Sequence, residues 1–506
     1  MRLLLTLVFT FLSTYMYPAT ELAQIAEPKV LKKTTKSKSK QRSNPLDLSR
    51  KGVVMINVKS YVNATDSDSK RWKGTGFIVD KSRGLIATNH LVAGNFSVCS
   101  YELKFSNGLK VTARRRYVDP FLDFAILEVD PKNIPEDCDE LKLSEQPPQI
   151  NDEITTMGNS AGDEFSTKTG TIFNIFDCVT PFNDQSFHYS GITVDGASGS
   201  PVFNKKGEVV GIIYGGKFVS GTVLPIRYVK DALTYIKDNQ NPPRKSIGLS
   251  LQYIPIDELL AAGFLTEGFA KKYRKEFPDA KGKIITVQNV ISGFKGAKVF
   301  EPGDILVEVN NQPIGPHMID LGRVIDTASE PLKFKILRDD KEIEVTVVAE
   351  DLMQDSENKM ISFMGTVWFE HHDQLTVSIG NRDGGVYFAG ISKTSPLRSD
   401  DSNIGKGWDD KMYKLVEIDG KPVESLKELE ERIPSIEKKS MFTLRYIDYI
   451  GQNNGLTAFK QVDRNPREIL VRYEKAFDTP KTYTWDATSH NWKDQTIAAA
   501  ENNSSD

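Results

Sequence analysis

The sequence predicts a mainly β fold: a β-barrel or sandwich domain followed by two small α+β modules. Three observations predict it. Short β-branched runs recur between residues 53 and 225, separated by turn pairs such as Asn107-Gly108 and Lys206-Gly207. A weak duplication follows, in which residues 303–314 resemble residues 412–423. At 506 residues the chain is too long for one hydrophobic core and has room for roughly three domains.

In chain order, Met1-Arg2 leads into an apolar run over residues 3–17, with small residues at Ala19 and Ala23. The run is shorter than the ~20 residues of a spanning helix. Residues 1–23 therefore read as a secretory signal peptide, and the expectation is an exported protein, periplasmic or secreted. Residues 24–50, Lys- and Ser-rich over 29–42, read as a disordered basic linker that is solvated rather than bound to nucleic acid. With a formal net charge of -3, the chain as a whole gives no reason to expect a polyanionic partner. Cys99, Cys138 and Cys178 are too few and too far apart for a zinc site or a disulfide framework. One bridge between two of them, or three buried thiols, fits equally.

The β domain spans 51–240, with strands expected at 53–58, 76–79, 85–88, 109–113, 124–129, 153–157, 170–176, 201–203, 209–214 and 222–225. A helix over 228–237 closes it, and Asn241-Pro242-Pro243 marks a linker. The modules follow at 246–352 and 360–476. Each pairs a strand, a two-residue turn and a Pro with a helix (321–328; 425–433) and a return to strand (332–337; 441–446). A polar insert at 399–410 interrupts the second. The extension 477–506, with Thr484-Trp485 and Asn491-Trp492, reads as one added strand and then disorder.

The chemistry starts from Gly196-Ala197-Ser198-Gly199-Ser200-Pro201 between two apolar strands. Small neighbours let the backbone N–H groups of Gly196 and Ser198 turn toward a developing oxyanion. A hydroxyl nucleophile needs a base. Of six histidines only His90 and His188 precede Ser198 in the β domain. His90 ends the apolar strand 85–88 at a rigid rim, whereas His188 follows polar residues 183–186 and reads as a loop residue. The base needs a buried orienting carboxylate. Asp123 heads the apolar strand 124–129, where burial would be costly without a donor such as His90 Nδ1–H. Asp119, next to Pro120, reads as a turn residue. The order His, Asp, Ser is that of the chymotrypsin-type serine peptidases.

These residues resemble the HtrA (Deg) serine proteases. The likeness is carried by Gly74-Thr75-Gly76-Phe77-Ile78-Val79, Thr88-Asn89-His90-Leu91-Val92, Asp123-Phe124-Ala125-Ile126-Leu127 and the Ser198 segment through Ile212. A divergent subgroup with fungal nuclear and plant members is closer still, through Asp80-Lys81-Ser82-Arg83-Gly84, Asp119-Pro120 and Gly158-Asn159-Ser160-Ala161-Gly162. The resemblance covers about residues 50–475. It implies a chymotrypsin-like double β-barrel protease domain followed by two PDZ-like domains. The catalytic residues would be His90, Asp123 and Ser198, with no metal and no cofactor. Ala197 and Ser200 depart from the usual Gly-Asn-Ser-Gly-Gly pattern, which puts the loop geometry in question.

In such a fold the substrate pocket has Ile192 at its base and Tyr214, Gly215 and Gly216 along one wall. No carboxylate at the base predicts cleavage after small or medium aliphatic residues. Ile247-Gly248-Leu249 and Met364-Gly365-Thr366 resemble PDZ loops that hold a peptide C-terminus by backbone N–H groups. The implied partners are unfolded polypeptides and peptide C-termini, with no nucleic acid and room for a homo-oligomer such as a trimer. The rival readings are an inactive binding or chaperone-like protein, and a secreted protease with one specific target.

Overall fold

The computed structural model describes residues 49–63, 71–94, 97–160, 162–178, 185–191, 193, 196–217, 219–353, 358–379, 382, 384–398, 404, 411–451, 459–461, 465–473 and 478–497. The expected signal peptide, nearly all of the basic linker, most of the polar insert and Ile192 lie outside them. Among the described residues no helix is long and apolar enough to cross a membrane.

The first half is two closed six-stranded barrels. Barrel one is built from β1 (Val53–Asn63), β2 (Arg71–Asp80), β3 (Leu85–Thr88), β4 (Ser97–Phe105), β5 (Lys110–Asp119) and β6 (Phe124–Glu128). Its order is β1-β2-β3-β6-β5-β4. Barrel two is built from β7 (Glu153–Ser160), β8 (Asp163–Asp177), β9 (Ser186–Ser190), β10 (Pro201–Phe203), β11 (Val209–Lys217) and β12 (Ser220–Pro225), in the order β10-β11-β12-β9-β8-β7. Closure leaves no sheet edge, and the alternation along each strand fills both interiors with aliphatic and aromatic side chains. One apolar cluster runs from Val53 and Phe77 in barrel one to Phe203 and Ile212 in barrel two, and the helix Ile226–Ile236 seals it with Val229, Leu233 and Ile236.

Two sequence expectations change here. β5 continues through Arg114, Arg115 and Arg116 to Asp119, well past residue 113, with a register shift between Arg115 and Tyr117 that leaves residues 115–117 all buried. His188 stands within β9, not in a loop, and its Nε2 lies 2.7 Å from Asp177 Oδ2 on the neighbouring strand.

The remaining chain forms two α+β modules, completing the mainly β architecture of double barrel and PDZ-like repeats. The first has strands in the order Leu249–Pro255, Lys283–Val290, Ile305–Val309, Leu332–Arg338 and Lys341–Val347, with the helix Met318–Asp326. The second has Lys411–Ile418 and Met441–Gly451 at corresponding places, with the helix Leu426–Ile436. The duplicated segments fold alike for a local reason. Asn310-Asn311 and Asp419-Gly420 all have positive φ (50°, 61°, 50° and 70°), the two-residue turn that matches strand twist.

The C-terminal residues differ from expectation. They form a hairpin, Lys481–Asp486 with Asn491–Thr496, in which Trp485 pairs with Trp492. The hairpin joins the sheet of the second module through Lys359–Phe363.

Candidate active site

The three residues singled out by sequence come from separate elements at the seam between the barrels. His90 opens a single helical turn, His90–Ala93, directly after β3. Asp123 immediately precedes β6, the strand paired with β3 through Thr88 and Ala125. Its φ of 52° turns the carboxylate back under the helical turn. There Asp123 Oδ1 accepts the Leu91 N–H at 2.8 Å, and Asn89 Nδ2 donates to Asp123 O at 2.9 Å. His90 and Asp123 are both nearly buried, at 4% and 6% exposure.

Ser198 arrives from barrel two, and Thr75 of β2 is what holds it. Thr75 N–H donates to Ser198 O at 3.0 Å, and its Oγ1 donates to Gly196 O at 3.2 Å while accepting the Asn159 N–H at 3.0 Å. Thr75 O accepts from Thr88 Oγ1 at 2.7 Å, two residues before His90. Sequence reasoning placed Thr75 in a matching motif but missed this role, since one Thr in a β-run carries no sign of a long-range partner.

The backbone around Ser198 needs its glycines. Gly196 (φ 86°) and Gly199 (φ 82°) bracket Ala197-Ser198 in a conformation that L side chains rarely adopt. A Cβ would meet Asn159 O at 2.1 Å in the first case and Thr75 O at 2.0 Å in the second. The two departures from the family pattern are absorbed. Ala197 sits in the barrel-two core, and the Ser200 Oγ occupies space that a Cβ on Gly158, 1.9 Å from it, would take.

Hydrogen bonds around Thr75 and Asp123 bring the chain segments of the three residues to one seam. Among the described residues the His90 imidazole makes no hydrogen bond to Asp123 or to Ser198. Burial first, and then the nearby positive charge of Arg115, pull the His90 pKa down to about 3. At neutral pH the imidazole is therefore uncharged, but a pKa this far below 7 makes it a weak base in this arrangement.

Of the three expected wall residues, Tyr214 packs its side chain into the apolar cluster between the barrels. Thr193 crowds Gly216 so closely that a Cβ there would lie 2.9 Å from Thr193 Cβ. In the first module, Gly248 has positive φ (74°) and its N–H is held by Ser246 Oγ at 2.9 Å. The second loop is not open. Met364 and Gly365 form a tight hairpin turn, and their N–H groups donate to Asp478 at 3.2 and 2.8 Å. An internal carboxylate thus occupies the place expected for a peptide end. Cys99, Cys138 and Cys178 are free thiols.

Residues 74–212 match the family of trypsin-like peptidase domains. Among curated proteins, the chain is 29% identical over 409 residues to the pro-apoptotic serine protease NMA111 of Meyerozyma guilliermondii, covering 78% of this chain and 40% of that one. The Saccharomyces cerevisiae protein of the same name is 28% identical over 430 residues, covering 82% and 42%. The chain thus spans about two fifths of the length of these relatives. Solved structures that align include the serine endoprotease from Yersinia pestis (20% identity, TM-score 0.42, 62% of this chain and all of that one). Another is the HtrA-type protease AlgW with tripeptide (17%, TM-score 0.46, 61% and 96%).

The resemblance to serine proteases of this type, with their fungal members, is borne out by the family match and the curated relatives. The expectation of an exported protein, periplasmic or secreted, is corrected by them. The relatives are fungal proteins named as pro-apoptotic serine proteases.

Proposed function

We propose that this chain, a relative of the fungal pro-apoptotic serine proteases with a trypsin-like peptidase domain over residues 74–212, is a serine endopeptidase acting on unfolded polypeptide segments. Ser198 is the nucleophile, His90 its base and Asp123 the orienting carboxylate. The Gly196 and Ser198 N–H groups receive the oxyanion. The observation that carries this reading is the seam itself. Thr75 bonds the Ser198 backbone on one side and the Thr88 hydroxyl on the other, while Asp123 accepts from the Asn89 side-chain amide and the Leu91 N–H, the two residues flanking His90.

Catalysis requires the His90 ring to turn toward Ser198, with its second nitrogen toward Asp123. Substrate occupying the cleft supplies the reason for that turn, since catalytic hydrogen bonds commonly tighten only in the complex. The crowding of Gly216 by Thr193 supports a shallow pocket and cleavage after small or medium aliphatic residues. Ile247, Gly248 and Leu249 form the loop proposed for a peptide C-terminus in the first module, where a chain end would displace Ser246 Oγ from the Gly248 N–H.

A serine-directed phosphonate should label the full chain, and Ser198→Ala should abolish both labelling and peptide hydrolysis. The unlinked His90 ring favours one other reading, a binding protein with a silent peptidase domain. Persistent failure to label folded chain, with and without unfolded protein present, would decide for that reading.

A further inference from the structure

β5 carries three consecutive arginines whose guanidinium groups have different fates. Arg114 lies at the surface and meets Glu128 with two contacts of 3.1 Å. Arg115 and Arg116 are each only 8% exposed, and neither has a carboxylate partner among the described residues. Arg116 makes long contacts, 3.4 Å to Ile236 O, 3.5 Å to Asn239 Oδ1 and 3.4 Å to His490 Nε2. The Arg115 side chain makes no hydrogen bond or ion pair among the described residues. It lies over the Trp485 ring, 4.0 Å from the centroid, with Trp492 at 5.5 Å.

Both side chains line a cavity of about 670 Å³ between barrel one and the C-terminal hairpin. Three of the chain's six histidines, His90, His372 and His490, share its wall. The one carboxylate in the described wall, Asp373, is held by Arg382 at 2.9 and 3.0 Å. Burial pulls the pKa values of Arg116 and His490 below their ordinary values, and the opposing pull of Glu128 on both does not cancel it.

A guanidinium taken from water without an anion is costly. Stacking on tryptophan returns only part of that cost. The volume lies within the usual range of small-molecule sites, which combine an apolar wall with a few convergent polar groups. Phe121, Leu352 and Met353 supply that wall. A planar fork with five unused donors matches the oxygen pair of a carboxylate or phosphate.

We propose that this cavity is a binding site for a small organic oxyanion, gripped by Arg115 and Arg116 with its carbon body against Trp485 and the apolar wall. The cavity shares His90 with the proposed peptidase site, but its test is binding and not turnover, so the two readings can fail independently. Its place beside His90 gives an occupant the means to offset the Arg115 charge felt by that ring.

The experiment titrates the full chain with inorganic phosphate and with citrate at constant ionic strength, because salt alone screens charge. Tryptophan fluorescence and the melting temperature are followed together. Citrate should bind and raise the melting temperature, and a weaker response to phosphate would identify the organic body as part of what is recognised. An equal response to phosphate would assign recognition to the oxyanion alone, which still supports the arginine grip.

Arg115→Gln and Arg116→Gln should each weaken binding about tenfold or more, the scale of a charge-assisted contact. Lys205→Gln, the same charge change at the exposed Lys205–Glu153 pair, should leave it unaltered. Arg115→Lys, which keeps the charge and loses the fork, should be weakened as well and guards against a misfolded Gln variant. Absence of binding by either anion, or binding that survives both Gln substitutions, overturns the proposal.

Discussion

Arg244 holds Asp119 through two nitrogens, with Nη2 2.6 Å and Nε 3.1 Å from Oδ2, and Asp119 is wholly buried. The same guanidinium reaches Asp326 on the helix Met318–Asp326 through Nη1. Asp119 Oδ1 accepts the N–H groups of Phe121 and Leu122 at 3.1 and 3.0 Å, the two residues before Asp123. One carboxylate thus fixes the turn leading into the candidate site and ties that turn to the first module.

Removing the cation leaves two carboxylates buried and uncompensated. Arg244→Ala should therefore cost about 3–5 kcal/mol, the scale for breaking a buried pair. Urea denaturation measures the loss, and peptide hydrolysis should fall with it as the turn before Asp123 loosens. An unchanged midpoint would refute the link.

Thr75→Val tests the contact that joins the barrels at Ser198. Valine keeps the shape but strips Oγ1 from Gly196 O and from the Asn159 N–H. Leaving those groups unsatisfied costs about 1–3 kcal/mol. Because Gly196 belongs to the proposed oxyanion loop, kcat should drop about tenfold or more with KM little changed, and Thr75→Ser should restore it. A variant that alters KM alone would reduce Thr75 to a packing residue.

The candidate set His90, Asp123 and Ser198 could be named from the sequence because the chemistry demands scarce residue types in a fixed order, and histidine is scarce here. The barrels were legible from spacing and turn residues. Partners far apart in sequence were not. Asp119 reads as a turn residue and does cap a turn, but its ion pair reaches 125 positions along the chain. Thr75 reads as one more β-former. Met364-Gly365 reads as a loop for a peptide end, yet a two-residue hairpin turn uses the same residue types, and only the arrival of Asp478 distinguishes them. The tail shows its two Trp positions without showing that four residues between Asp486 and Asn491 suffice to turn the chain.

Asp478 should be the clasp of that tail. Its carboxylate accepts two N–H groups of the Met364-Gly365 turn, and burial raises its pKa against the pull of those donors. Asp478→Ala should cost about 1–3 kcal/mol for the two unsatisfied donors. It should also speed hydrogen exchange in the paired strands Lys359–Phe363 and Lys481–Asp486. Exchange that rises only elsewhere would show the clasp to be incidental.

The last expectation concerns acid. His372, like His90, has its pKa pulled down to about 3, by burial first and then by His371 and His90. Between about 3 and the ordinary histidine value of roughly 6.5, the unfolded chain binds a proton that the folded His372 does not. Stability contributed by the neutral ring is complete above that window and is lost as pH falls through it. Asp326 works in the opposite sense. Its pKa is pushed up to about 6 by burial, so the folded state holds a proton over part of the same range and that group favours acid. Total stability therefore mixes signs, and a comparison of variants isolates the histidine. His372→Asn should lose less stability than the parent chain on going from pH 7 to pH 4.5, by up to about 1.4 kcal/mol per pH unit. Urea midpoints at pH 7, 5.5 and 4.5 measure the two slopes, and equal slopes would show that His372 takes up its proton in the folded state without cost.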